Sequence, residues 1–177
     1  MAQIGLKNFH YAICTNDNDS VTSYGIPKKV VGINSIDINP TVQRSTMYGD
    51  DVPLATTSNV SEITVRIAAG VLTIEDEASL LGHTITDGVM VYKSDDKAPY
   101  VAIMYESDTH DGKVRFDKYY KGKFSETQKT INTRGESVEY QLPEIEGSFV
   151  ARESDRKLMI AAVSDSATLG TEWYASV

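Results

Sequence analysis

Three histidines, His10, His83 and His110, are the residues best suited to bind a metal or move a proton near neutral pH. They stand far apart in the chain, and none lies three or four residues from a second ligand on a helix, the spacing that turns two side chains toward one ion. His110 falls in SDTHDG, where Asp108 and Asp111 could join it around a cation, although a run of Asp, Ser and Gly is first of all a turn. TNDNDS at residues 15–20 opens like a calcium loop but lacks the glycine and the distal glutamate in step, so it reads as a hairpin turn. Asp50 and Asp51 offer an acid and a base, yet neighbours on an extended segment point to opposite sides and do not converge on one substrate atom. No G-x-S-x-G elbow, phosphate-cradling glycine loop or dinucleotide fingerprint occurs. The residues predict no catalytic centre, no metal site and no cofactor.

The elements that would position any site are mostly strands. Phe9, Tyr11 and Ile13 alternate with Asn8, His10 and Ala12; Ile63, Val65 and Ile67 alternate with Glu62, Thr64 and Arg66; Val138, Tyr140 and Leu142 alternate with Ser137, Glu139 and Gln141. Each pattern gives one dry and one wet face. Further strands are expected over residues 88–92, 99–105, 113–124, 148–152 and 157–163, separated by turn-rich pieces at 94–97 and 108–112. That spacing predicts a mainly β fold, a sandwich or barrel. One short helix interrupts it over about residues 74–81. Thr73 can cap it, Glu75, Asp76 and Glu77 set negative charge at its positive end, and Gly82 suits its termination.

Composition narrows the function further. The chain's 177 residues, 41% of them hydrophobic, suffice for one core and fall short of two domains. A formal net charge of -8 argues against a nucleic-acid-binding surface, which concentrates Lys and Arg to neutralise phosphates. The lone Cys14 allows no internal disulfide and fits synthesis in a reducing compartment. Neither a basic and apolar leader nor an apolar run of membrane-spanning length is present, so no membrane anchor is expected.

Two features invite a partner. Residues 37–59 join the strand-like runs 29–36 and 60–67 without burying anything obvious, and connections of this length in compact domains are usually functional. Val42, Met47, Tyr48, Val52 and Leu54 are too many apolar side chains for a segment meant to stay in water. The expectation is an assembly arm whose contacts include Met47, Tyr48, Gly49, Asp50, Asp51, Val52 and Leu54. The second feature is a division of charge. Residues 113–134 hold seven basic side chains against Asp117 and Glu126, and residues 135–155 hold six acidic ones against Arg152. Either these are neighbouring strands with complementary exposed pairs, or the subunit has a basic and an acidic edge suited to head-to-tail packing. On the second reading Lys118, Lys121 and Lys123 join the interface.

Seven segments carry a resemblance: IGLKNFHYAI from residue 4, TMYGDD from 46, EITVRIA from 62, ASLLGH from 78, APYVAI from 98, YKGKFSE from 120 and EGSFVARE from 146. In this order, over nearly the whole chain, they resemble the major tail protein family of long-tailed, non-contractile phages and prophages of Gram-positive bacteria. The resemblance implies a single tail-tube domain over residues 1–177, a β-sandwich or barrel-like core with one flanking helix and a long inter-strand arm. It implies a virion component made in the host cytoplasm. It further implies six-membered rings stacked around a tape measure protein, joined to tail terminator and distal tail proteins, with DNA later passing through the lumen without sequence-specific binding. The competing reading is a small carbohydrate- or protein-binding sandwich displaying some of the ten tyrosines and Trp173.

Overall fold

The computed structural model describes residues 2–129, 131, 133, 141–164, 170 and 172–177. Among the described residues the elements follow in order: β1 Gln3–Asp17, β2 Thr22–Tyr24, β3 Lys28–Lys29, β4 Ile33–Gly49, β5 Val52–Ala69, α1 Ile74–Leu81, β6 Thr84–Thr86, β7 Val89–Val91, β8 Val101–Thr109, β9 Val114–Glu126, β10 Glu144–Val150 and β11 Met159–Ser164. Nine strands form one antiparallel sheet along the path β2-β1-β8-β9-β10-β5-β4, with β3 added to β1 and β11 to β9; β6 and β7 pair separately. The mainly β expectation holds, but the barrel does not. Among the described residues β2 and β4 end the path without pairing to each other, because β4 and β5 run outward as a hairpin instead of curling back.

The centre of the sheet is covered on both faces. In β8, Val101, Ala102, Ile103 and Met104 are fully buried, as a continuous apolar run requires when neither face meets water. On one face Phe9, Tyr11, Val65, Ile67, Ile103, Phe124 and Phe149 pack with Leu80 and Leu81 of α1. On the other, Ala12, Met104 and Phe116 lie under Trp173, with Tyr174 and Val177 beside them. The alternation read in β1 is therefore only half of its burial: Phe9 and Tyr11 are dry, but so is Ala12, while Ile13 is exposed.

The helix follows its local signals. Thr73 Oγ1 accepts the Asp76 N–H at 3.1 Å, and Gly82 ends the helix at φ 80, its N–H donating to the Ala78 carbonyl. A side chain at Gly82 would also strike the Lys97 carbonyl, whose oxygen lies 2.2 Å from where a Cβ would stand. Asp76 anchors α1 to the sheet, receiving Lys28 Nζ at 2.8 Å and the Tyr11 hydroxyl at 3.0 Å. Burial pushes its pKa up, but the hydrogen bonds from Lys28, Thr73 and Tyr11 outweigh that and hold the carboxyl below its usual range.

The expected strands at 88–92, 99–105, 113–124, 148–152 and 157–163 correspond to β7 through β11, with ends displaced by a few residues. Residues Val138 and Tyr140 of the remaining alternating run lie outside the described residues. TNDNDS is a hairpin turn between β1 and β2, where the Asn18 side-chain oxygen accepts the Ser20 and Val21 N–H groups.

Candidate assembly surface

The segment expected to be a long connection is the outer part of a β-hairpin. β4 and β5 pair from Ile33↔Ala69 to Gly49↔Val52, with irregularities at Thr41/Val42 and Met47/Tyr48. Only the base belongs to the body: Ile63, Val65 and Ile67 of β5 are buried, and β10 pairs with residues 63–68. Beyond residue 62 the ribbon has two strands and two unpaired edges. Every residue from 50 to 61 is exposed, as are residues 39–48, so neither face rests on the subunit. Val42, Met47, Tyr48, Val52, Leu54 and Val60 are between 43% and 68% exposed. A two-stranded ribbon alone in water is marginal in stability, and contiguous exposed apolar groups mark interaction sites.

Asp50 and Asp51 form the tip. Both have left-handed backbones, φ 51 and φ 61, the two-residue reversal that matches the right-handed twist of the strands it joins and that Asp tolerates better than most residues. They occupy a turn, which corrects their reading as an extended pair. Gly49 makes room for a neighbour: the Leu54 side chain lies where its Cβ would be, 2.4 Å away. Among the described residues neither aspartate meets a cation.

The basic residues do not gather with the tip. Lys118 is buried, donating to the Ser176 carbonyl at 2.8 Å with its ammonium 4.9 Å from the Trp173 ring; burial pulls its pKa down to about 8. Lys121 is buried against Asp17 and Glu153 and lies 4.9 Å from the Tyr100 ring. Lys123 alone of the three is exposed, 5.0 Å from Tyr100. Arg115 clasps Asp117, and Lys129 reaches Glu77. β9 and β10 are indeed neighbours, yet Glu146 of β10 pairs with Arg66 of β5 instead of a β9 lysine. Arg134, Glu136 and Glu139 lie outside the described residues.

His110 pairs with Asp111 on an exposed turn, and the described residues hold no cluster of three or more metal-ligating side chains. Of the described tyrosines, Tyr11, Tyr105, Tyr119 and Tyr120 are buried, Tyr92 packs on His83, Tyr100 lies beneath two lysines, and Tyr48 stands exposed on the hairpin. No described helix is long and apolar enough to cross a membrane.

His83 is structural. Its Nδ1 faces Asp96 at 2.8 Å and its Nε2 faces Glu126 at 3.0 Å, two carboxylates that only the doubly protonated ring can serve. The Asp96 hydrogen bond leads in raising its pKa above the ordinary value. A raised folded pKa contributes stability that is complete below the unfolded value near 6.5 and is lost as pH rises through the folded one. Thermal melts of the unassembled protein should therefore fall from pH 6 to pH 9 in a step that His83→Gln removes; an unchanged slope in the variant would contradict this assignment.

Sequence reasoning missed the hairpin's regular structure and its tip, although Gly-Asp-Asp between Thr- and Val-rich flanks was a usable turn signal. No curated protein matches the chain. The model of the phage tail tube protein family matches residues 1–142, which take in β1 through β9, the hairpin and the helix. The chain belongs to the phage tail tube protein family, whose members are structural subunits of a virion tail and not enzymes.

Proposed function

We propose that the chain, as a single tail-tube domain, forms six-membered rings that stack into the tube of a long-tailed, non-contractile phage or prophage of a Gram-positive host. It is made in the host cytoplasm. The stack encloses the tape measure protein, is bounded by tail terminator and distal tail proteins, and conducts DNA. The observation that carries this reading is the hairpin, an extended apolar arm whose outer part packs on no other element among the described residues. In the assembly Met47, Tyr48, Gly49, Val52 and Leu54 pack on a neighbouring copy, with Asp50 and Asp51 meeting its cations. Of the lysines in the basic stretch, Lys123 is placed to take part, because Lys118 and Lys121 are held within the subunit. The net charge of -8 favours an acidic lumen that repels the DNA backbone, so that DNA slides without sticking. Negative-stain microscopy of the purified chain should show rings or tubes, and the tubes should not retain double-stranded DNA at low salt. A persistent monomer, or tight salt-sensitive DNA retention, would overturn the reading.

A further inference from the structure

A groove of about 270 Å³ opens at the base of the hairpin, lined by Leu6, Phe9, Val30, Val31, Lys7 and Lys29 together with Asn8, Gly32 and Ile33. Its origin lies in β1. The pairing of β1 with β8 slips on both sides of Lys7, and Asn8 adopts a left-handed backbone, φ 49. These irregularities bend β1 away from a regular ladder, and the chain entering β4 crosses the bend, the Val30 N–H donating to the Phe9 carbonyl at 2.9 Å.

The groove's chemistry is the complement of the hairpin tip. Its floor is apolar: Phe9 and Val30 are buried there, and Val31 on the rim is 70% exposed. The apolar rim continues onto Val71, 61% exposed and 3.2 Å from where a Cβ at Gly32 would stand. Its charged residues are cations. Lys29 donates to the neutral Asn8 amide oxygen at 2.5 Å and meets no carboxylate among the described residues. Lys7 pairs with Asp108 but remains 56% exposed, with ammonium protons to spare. The tip offers Met47, Tyr48, Val52 and Leu54 beside two aspartates that meet no described cation. The larger cavity near Pro143 includes Glu144 on its wall, and Lys129, the cation among its described lining residues, is held by Glu77.

A chain cannot fill its own groove. β4 spans 17 residues from the groove to the tip, roughly 55 Å at about 3.3 Å per residue. We infer that the hairpin tip of one copy seats in the β1–β4 groove of a second copy, Asp50 and Asp51 meeting Lys7 and Lys29 while Met47, Tyr48 and Leu54 cover Val31 and Val71. This rests on the tube reading above and names the receiving surface within it. Tip and groove are different surfaces, so within a tube the contact runs head to tail and repeats from copy to copy, whereas a reciprocal exchange would stop at a dimer.

Charge reversal tests it. Lys7→Glu/Lys29→Glu and Asp50→Lys/Asp51→Lys should each raise the protein concentration needed for tube formation about tenfold or more, measured by sedimentation. Circular dichroism should stay unchanged, since all four side chains are at the surface. Combining all four substitutions should restore assembly to near the unaltered chain. Cross-linking adds a readout independent of charge: in a Cys14→Ser background, Val31→Cys with Leu54→Cys should give a ladder of covalent oligomers on mild oxidation, which neither single variant forms. If the lysine variant assembles normally while the unaltered chain makes tubes, or if the four-fold variant is not rescued and the ladder is absent, this contact is wrong and the tube reading stands. Failure of the unaltered chain to form tubes overturns both.

Discussion

Removing residues 43–57 and closing the gap with a short Gly/Ser linker should leave a folded, β-rich monomer that forms no rings or tubes. The body keeps its pairings, because β10 meets β5 only at residues 63–68 and the buried positions of β5 begin at Ile63. Met47, Tyr48, Val52 and Leu54 contribute little to the monomer, each being at least 57% exposed. What the deletion removes is apolar area that can be buried only against another copy, at about 25 cal/mol per Å² before the costs of association. Circular dichroism and electron microscopy of the variant read the two halves of this expectation separately. Normal tubes would eliminate the arm, and an unfolded product would place the segment in the core.

The second large effect lies in the core of the sheet. In the β9–β10 ladder Gly122 faces Phe149 and Gly147 faces Phe124. Each ring lies across the opposite glycine, and the two rings meet edge-on with centroids 5.8 Å apart. A Cβ at Gly122 would stand 2.3 Å from the nearest Phe149 ring carbon, and Phe149 is fully buried with nowhere to move. Gly122→Ala should therefore cost about 3 kcal/mol, at the upper end of overpacking, which is roughly 6–12 °C in melting temperature for a chain of this size. Phe149→Ala should cost about 3–5 kcal/mol through the cavity it leaves. The double variant should lose about 2 kcal/mol less than the sum, because removing the ring removes the clash. Additive losses would show that the glycine is not making room for the ring.

The parts of this fold legible in the sequence were those decided by neighbours in the chain. The helix from Ile74 to Leu81 is set by Thr73, the acidic first turn and Gly82, all within ten residues. Ile63, Val65 and Ile67 showed their face because one side of β5 is dry there. The same strand beyond Ser61 gave no such signal. Its ribbon has water on both faces, so Thr, Ser, Asn and apolar residues follow without a period of two, and a regular hairpin read as a long connection. The segment's exposed apolar content was legible, because it follows from composition and not from periodicity. The surroundings of the β9 lysines were not legible, for a different reason. Whether Lys118 and Lys121 reach water depends on Trp173, Ser176, Asp17 and Glu153, which are distant in sequence and brought close only by the fold. The groove at Lys7 and Lys29 was equally hidden, since the slipped pairing around Asn8 that opens it has no signature in residue type.

The central claim is that the exposed hairpin is an arm completed by another copy of the chain. A helical reconstruction of the assembled tube by electron cryo-microscopy tests it most directly. Met47, Tyr48, Val52 and Leu54 should be buried against a neighbouring subunit, with Asp50 and Asp51 beside its cations. A tube in which these side chains still face solvent would contradict the account.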